Sequence, residues 1–201
     1  MKDAVGFLSV VFMVSSVAAG QPVAFEDAGL KAAVEAQLHV SNPTSADMVK
    51  LGYLVAEQRG ITDLTGLEYA ANLSVLNLGS NSLRNLSALS GLVNLTRLYL
   101  RENLLTESAG LAKLKKLQFL TLADNRIADL GPLSGLTGLT ELDLASNRVS
   151  NLQPLSGLLK LASLDISANE LSDLAALAPL TGLTKLYAGH NRSRMLPPSA
   201  A

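Results

Sequence analysis

The chain has 201 residues, 48% of them hydrophobic, a formal net charge of −1 and no cysteine. So even a charge balance argues against a nucleic-acid binder held by phosphate contacts. The lack of cysteine excludes disulfide caps and thiolate metal sites, and it is compatible with an oxidising compartment.

Residues 1–20 read as a secretory signal. Lys2 supplies the positive start, residues 4–17 are an apolar run, and Val17, Ala18, Ala19 and Gly20 are the small residues that precede signal cleavage. The run is shorter than the roughly 20 residues a spanning helix needs, although Asp3 weakens the positive region and leaves an uncleaved anchor as the alternative. No stable membrane insertion is expected after cleavage. Residues 21–50 read as a helical N-terminal cap. Leu30, Val34 and Leu38 fall on one stripe of a helix over residues 25–38 with Asp27 near its start, and Thr44, Ser45 and Asp47 open a second short helix.

From Leu51 onward one 22-residue unit repeats without losing its frame. Residues 139–160 show it best, with Leu139, Leu142, Leu144, Asn147, Val149, Leu152, Leu155 and Leu158 at fixed offsets. About seven such units fill residues 51–192; the first is degenerate, with Arg59 in place of the asparagine, and the last stops halfway. Residues 193–201 are left as a tail with no recognisable cap. Apolar residue, spacer, apolar residue is a period-two pattern, hence a short strand with one buried face, and successive strands must pair in parallel. The asparagine sits where the chain turns off the strand into the interior. Its amide suits the turn backbone of its own and neighbouring coils, so Asn81, Asn103, Asn125, Asn147, Asn169 and Asn191 are expected to form a structural ladder. Return arcs such as Pro-Leu-Ser-Gly-Leu at residues 132–136 fit single 3₁₀ turns better than helices. The third unit, with Ser108 where a leucine belongs and an extra Leu104, predicts a local bulge.

These leucine offsets closed by one asparagine resemble the leucine-rich repeat, and most closely the 22-residue bacterial subclass of internalin-like surface and secreted proteins. The resemblance implies an α/β solenoid: a right-handed horseshoe with a concave parallel β-sheet, short 3₁₀ or irregular convex arcs and an N-terminal helical cap.

Strand residues that point away from the core form rows across the concave sheet. One row is Tyr53, Val75, Arg97, Phe119, Glu141, Ser163 and Lys185; the next is Val55, Asn77, Tyr99, Thr121, Asp143, Asp165 and Tyr187. Arg101 belongs to a third row, and Gln58, Ser80, Glu102, Asp124, Ser146, Ala168 and His190 to a fourth. Arg97, Tyr99, Arg101 and Phe119 put guanidinium groups beside aromatic rings, residue types enriched at interface hot spots. They read either as a binding surface or as an ordinary solvated face. Glu141, Asp143 and Asp165 gather acid two coils further on, readable as solvated face, protein contact or cation site. Tyr53 and Tyr187 add aromatic surface at the two ends.

A carboxylate pair on a strand raises the glycosidase question. An open face without a pocket wall cannot raise one carboxyl pKa, and no unit carries an insertion that could build such a wall. His39 and His190 lie at opposite ends of the chain, so neither a metal pair nor a nucleophile–base pair is proposed. No cofactor and no metal are expected. The expectation is a non-enzymatic, monomeric scaffold, secreted, periplasmic or at the cell surface, that recognises a protein or peptide and no nucleic acid. The alternatives are an assembly module joined through its C-terminal edge, and an intracellular regulatory scaffold.

Overall fold

The computed structural model describes residues 20–192. The expected signal lies outside them apart from Gly20, and the tail at 193–201 lies outside them entirely. Within them, seven strands form one parallel sheet in chain order: Tyr53–Val55 (β1), Val75–Asn77 (β2), Arg97–Tyr99 (β3), Phe119–Thr121 (β4), Glu141–Asp143 (β5), Ser163–Asp165 (β6) and Lys185–Tyr187 (β7). Each strand pairs with the next in the repeat's own frame, as Leu120 opposite Leu142 shows. The chain returns through 3₁₀ turns at Leu67–Tyr69, Ser87–Gly91, Ala109–Leu111, Gly131–Leu133, Gln153–Leu155 and Ala175–Leu177. Pro132 and Pro154 stand in the first turn of theirs, where a missing N–H is harmless. The result is a leucine-rich repeat solenoid. In the coil built on β4, Leu117, Leu120, Leu122, Ile127, Leu130 and Leu133 are all buried, each worth roughly 2 kcal/mol relative to exposure.

Hydrogen bonds from the asparagines run backward along the solenoid. Asn147 Oδ1 accepts from the Ile127 N–H of the preceding coil at 2.9 Å. Its Nδ2 donates to the Leu122 carbonyl of that coil and to Leu144 and Ala145 of its own. The same set recurs at Asn81, Asn103, Asn125, Asn169 and Asn191. One residue earlier, every coil passes through the left-handed region. Gln58, Ser80, Glu102, Asp124, Ser146, Ala168 and His190 have φ between 51 and 57°, although none is glycine. Such a conformation costs about 1–2 kcal/mol per residue. It persists because these residues are held on both sides: Ser146 N–H donates to the Ser167 carbonyl of the next coil, and the bonded asparagine follows directly. The fourth row expected on the sheet is therefore the turn that leaves it.

The N-terminal end is closed by helices Ala28–Leu38 (α1) and Ser45–Met48 (α2), which pack on β1 and on the 3₁₀ turn at Leu67–Tyr69 respectively. Asp27 caps α1 and ties it to the first coil at once. Oδ1 accepts from Leu30 N–H at 3.0 Å, and Oδ2 from the Thr62 N–H and hydroxyl. Thr44 and Asp47 form a reciprocal capping box at α2. Phe25 lies on the first return turn at Gly66, whose φ is +99° and where a Cβ would come within 2.9 Å of the ring.

The bulge predicted for the third coil does not form. Ala109–Leu111 makes the same 3₁₀ turn as its neighbours. Gly110 in this turn lies so close to the second coil that a Cβ on it would collide with the Leu86 carbonyl. Ser108 is buried, and its hydroxyl has no hydrogen-bond partner. At the other end, β7 pairs only with β6 among the described residues. Leu186 is 42% exposed there, whereas Leu142 and Leu164 at the same position are buried.

Three outcomes follow from this packing. Asn147→Ala should destabilise the fold by roughly 1–3 kcal/mol in denaturant melts, with faster amide exchange at Ile127 on the preceding coil than at Val149; faster exchange confined to the mutated coil would contradict the backward reach. For Asp27, partial burial works to raise the carboxyl pKa, but donation from Thr62, Leu30 and Gly29 N–H groups and the Thr62 hydroxyl outweighs it and holds the pKa below its ordinary value. A depressed carboxylate contributes stability above its unfolded pKa that is lost as pH falls through the folded one. The melting-temperature gap between wild type and Asp27→Asn should thus narrow as pH drops below about 4. In the third coil, Gly110→Ala should cost roughly 1–3 kcal/mol by overpacking. Ser108→Ala should instead raise stability by about 1 kcal/mol by removing an unpaired buried hydroxyl, both read from chemical unfolding.

Candidate functional site

Two rows of the sheet face outward, because alternate residues of a strand point to opposite faces. Their register is set by the buried central leucines: Tyr53, Val75, Arg97, Phe119, Glu141, Ser163 and Lys185 stand opposite one another in sequence, and so do Val55, Asn77, Tyr99, Thr121, Asp143, Asp165 and Tyr187. Tyr53, Val55 and Tyr187 are each more than half exposed, which no internal packing requires.

The expected basic-aromatic cluster is only partly assembled. Tyr99 and Phe119 meet diagonally across β3 and β4 with ring centroids 4.7 Å apart and planes at 36°, an arrangement worth about 1 kcal/mol. Arg97 lies directly opposite Phe119 and is exposed, with no ion pair among the described residues. Arg101 is engaged elsewhere. Its Nε lies 3.1 Å from both Glu102 and Asp124 carboxylates, on the turn rather than over the rings.

The three acidic residues lie on the adjacent strands β5 and β6, but not as equals. Asp143 Oδ1 accepts from Ala145 N–H, and its Oδ2 accepts from the Thr121 hydroxyl at 3.0 Å. Asp165 Oδ1 accepts from Ser167 N–H at 2.9 Å, leaving Oδ2 without a partner among the described residues. Glu141 has no hydrogen bond or ion pair there. Asn77 does the same job for Gly79 N–H that the aspartates do for theirs. Sequence reasoning missed this structural duty of the second row. Its only trace is an Asn, Asp or Thr two residues before a backbone N–H that the sheet leaves unbonded, and it is absent where Val55, Tyr99 or Tyr187 occupies the row.

Between β4 and β7 the sheet holds a shallow depression of about 200 Å³, walled by Phe119 and Tyr187 and lined by Glu141, Asp143 and Asp165 over Leu142. Among the described residues, no three His, Cys, Asp or Glu side chains converge to hold a metal ion, and no helix is long and apolar enough to cross a membrane. His39 and His190 stand far apart in sequence at opposite ends of the solenoid, both in left-handed turns.

Comparison with known proteins agrees with the architecture. Residues 115–157 match the family described as Leucine Rich repeats (2 copies), and residues 137–192 match Leucine rich repeat. No curated protein matches the chain. Among solved structures, an internalin (inlF) from Listeria monocytogenes is similar at 29% identity with a TM-score of 0.71, covering 83% of this chain; the chain spans 57% of that internalin's length. Internalin C2 of the same organism has 31% identity and a TM-score of 0.69, with 90% of this chain and 93% of that one covered. At 31% identity over 90% of this chain and 93% of that internalin, this chain belongs to the internalin-like family of bacterial leucine-rich repeat proteins.

Proposed function

We propose that this chain is a non-enzymatic, secreted or surface-exposed scaffold that binds a protein or peptide on its concave sheet. The observation that carries the reading is the outward pair of rows. Tyr53, Arg97, Tyr99, Phe119, Glu141 and Tyr187 lie on one continuous surface, and the leucine core and asparagine ladder use none of them. Aromatic and arginine side chains held on a rigid sheet lose little entropy when a partner covers them. A catalytic reading lacks support in this geometry, because the acidic residues lie in a shallow depression without the enclosing wall that would separate their pKa values. Secretion rests on the signal-like residues 1–20, and sequencing of the mature N-terminus tests it; a retained Met1 would favour the intracellular alternative.

Self-association through the β7 edge is the second reading, favoured by the exposure of Leu186 beside a strand edge that no other described strand pairs. Sedimentation velocity over a concentration series separates it from a monomeric binder. For the first reading, a partner captured from the native environment should bind Arg97→Ala, Tyr99→Ala and Phe119→Ala each more weakly by about 1 kcal/mol or more, measured by calorimetry. Lys115→Ala on the return arc should leave affinity unchanged. Loss of binding in the arc variant with full binding in the sheet variants would move recognition to the convex side.

A further inference from the structure

We infer that the depression between β4 and β7 is a specificity pocket for one basic side chain, an arginine or lysine, of the partner protein. The inference rests on the concave-face reading and adds what that face selects. Phe119 and Tyr187 stand as the two walls, with Leu142 between them, and three carboxylates line the space. An aromatic face attracts a cation, more strongly when water is excluded. The two rings suit the methylene stem that carries a cationic head into such a site.

The state of each carboxylate fixes where the head group goes. Asp143 has both oxygens engaged, by Ala145 N–H and the Thr121 hydroxyl. Among the described residues, Asp165 keeps one oxygen unpaired and Glu141 keeps both. Those oxygens are the acceptors a guanidinium or ammonium group would use. Among the described residues no cation neutralises them, since the ion pairs form at Asp47, Glu35, Glu102, Asp124 and Glu170. Asp143 and Asp165 stand directly opposite in register, and like charges so placed repel. A partner's cation would relieve that repulsion. Arg97 and Lys185 flank the acid two strands away on either side of Glu141 in the same row. Positive charge is thus favoured at the depression and disfavoured beside it, which gives the partner a register as well as a charge.

The test uses the full chain and four capped peptides identical except for a central arginine, lysine, norleucine or glutamate. Binding is read from backbone amide shifts in two-dimensional NMR. Arginine and lysine peptides should give saturable shifts at the amides of β5 and β6 that weaken with added salt. Norleucine and glutamate peptides should not. Glu141→Gln and Asp165→Asn should each weaken the arginine peptide at least fivefold. Asp165→Asn is a conservative probe of folding, because an asparagine in this row already serves the Gly79 N–H at Asn77. Equal binding of norleucine, or unchanged affinity in both variants, would overturn the inference. So would calcium alone shifting the same amides and displacing the arginine peptide, which would make the depression a cation site. The two readings fail separately: weakened partner binding in Arg97→Ala without any arginine-peptide binding removes the pocket and keeps the concave face. Arginine-peptide binding with a partner that maps to the convex arc keeps the pocket's chemistry and removes the concave interface, and with it the pocket's role in that partnership.

Discussion

The solenoid depends on one side-chain amide per coil reaching back to the coil before it. Backbone at a tight inward turn cannot bond to its own strand ladder, and buried N–H and carbonyl groups left unpaired would each cost about 1–3 kcal/mol. The asparagine closes four such groups at once, as Asn103 does for Leu83 N–H and the Leu78, Leu100 and Arg101 carbonyls. Because two of these belong to the preceding unit, a coil is complete only when the next has folded onto it. Nearest-neighbour coupling of this kind makes a repeat array cooperative even though no unit could bury its own core.

Direction along the chain explains the two ends. In the first coil Arg59 replaces asparagine without disrupting the turn, because Asn81 already accepts from Arg59 and Ile61 N–H and donates to the Ala56 carbonyl. What that coil needs instead is cover, and the cap provides it by other chemistry: the Asp27 carboxylate on Thr62 and Phe25 against the first return turn. At the opposite end Asn191 completes the sixth coil through Leu171 N–H and the Ile166 carbonyl. Among the described residues nothing reaches back to the seventh coil in the same way.

Most of the fold was legible in the sequence because its determinants are periodic. Leucine spacing found every strand, although the strand read at residues 142–144 is Glu141–Asp143 in the structure, and Thr44 with Asp47 marked α2. What escaped was set by contacts between coils rather than by position within one. Ser108 reads as a defect until the following turn is seen to lie close against Leu86, with Gly110 allowing the approach. The left-handed row carries no glycine signal, since bonds to the following coil hold residues as unsuited as Ala168 in place. On the sheet, the rows named the neighbours correctly but could not say which way a long side chain turns. Arg101 sits one strand row from Tyr99 and yet lies on Asp124.

That last distinction sorts the outward residues by what else they do. Asp143 is tied into the sheet at both oxygens, and Arg101 into an exposed ion pair of the sort that contributes little to stability. Their chemistry is directed at their own chain first. Tyr53, Arg97, Glu141 and Tyr187 have no such obligation among the described residues, and Asp165 has half of one. Core leucines and ladder asparagines constrain what can stand at the buried positions and leave these free, so that changes in the outward rows can alter recognition without disturbing the fold. A face built this way separates stability from selectivity. The one place where the two meet is the second row, where an aspartate that caps a backbone N–H also brings negative charge to the surface.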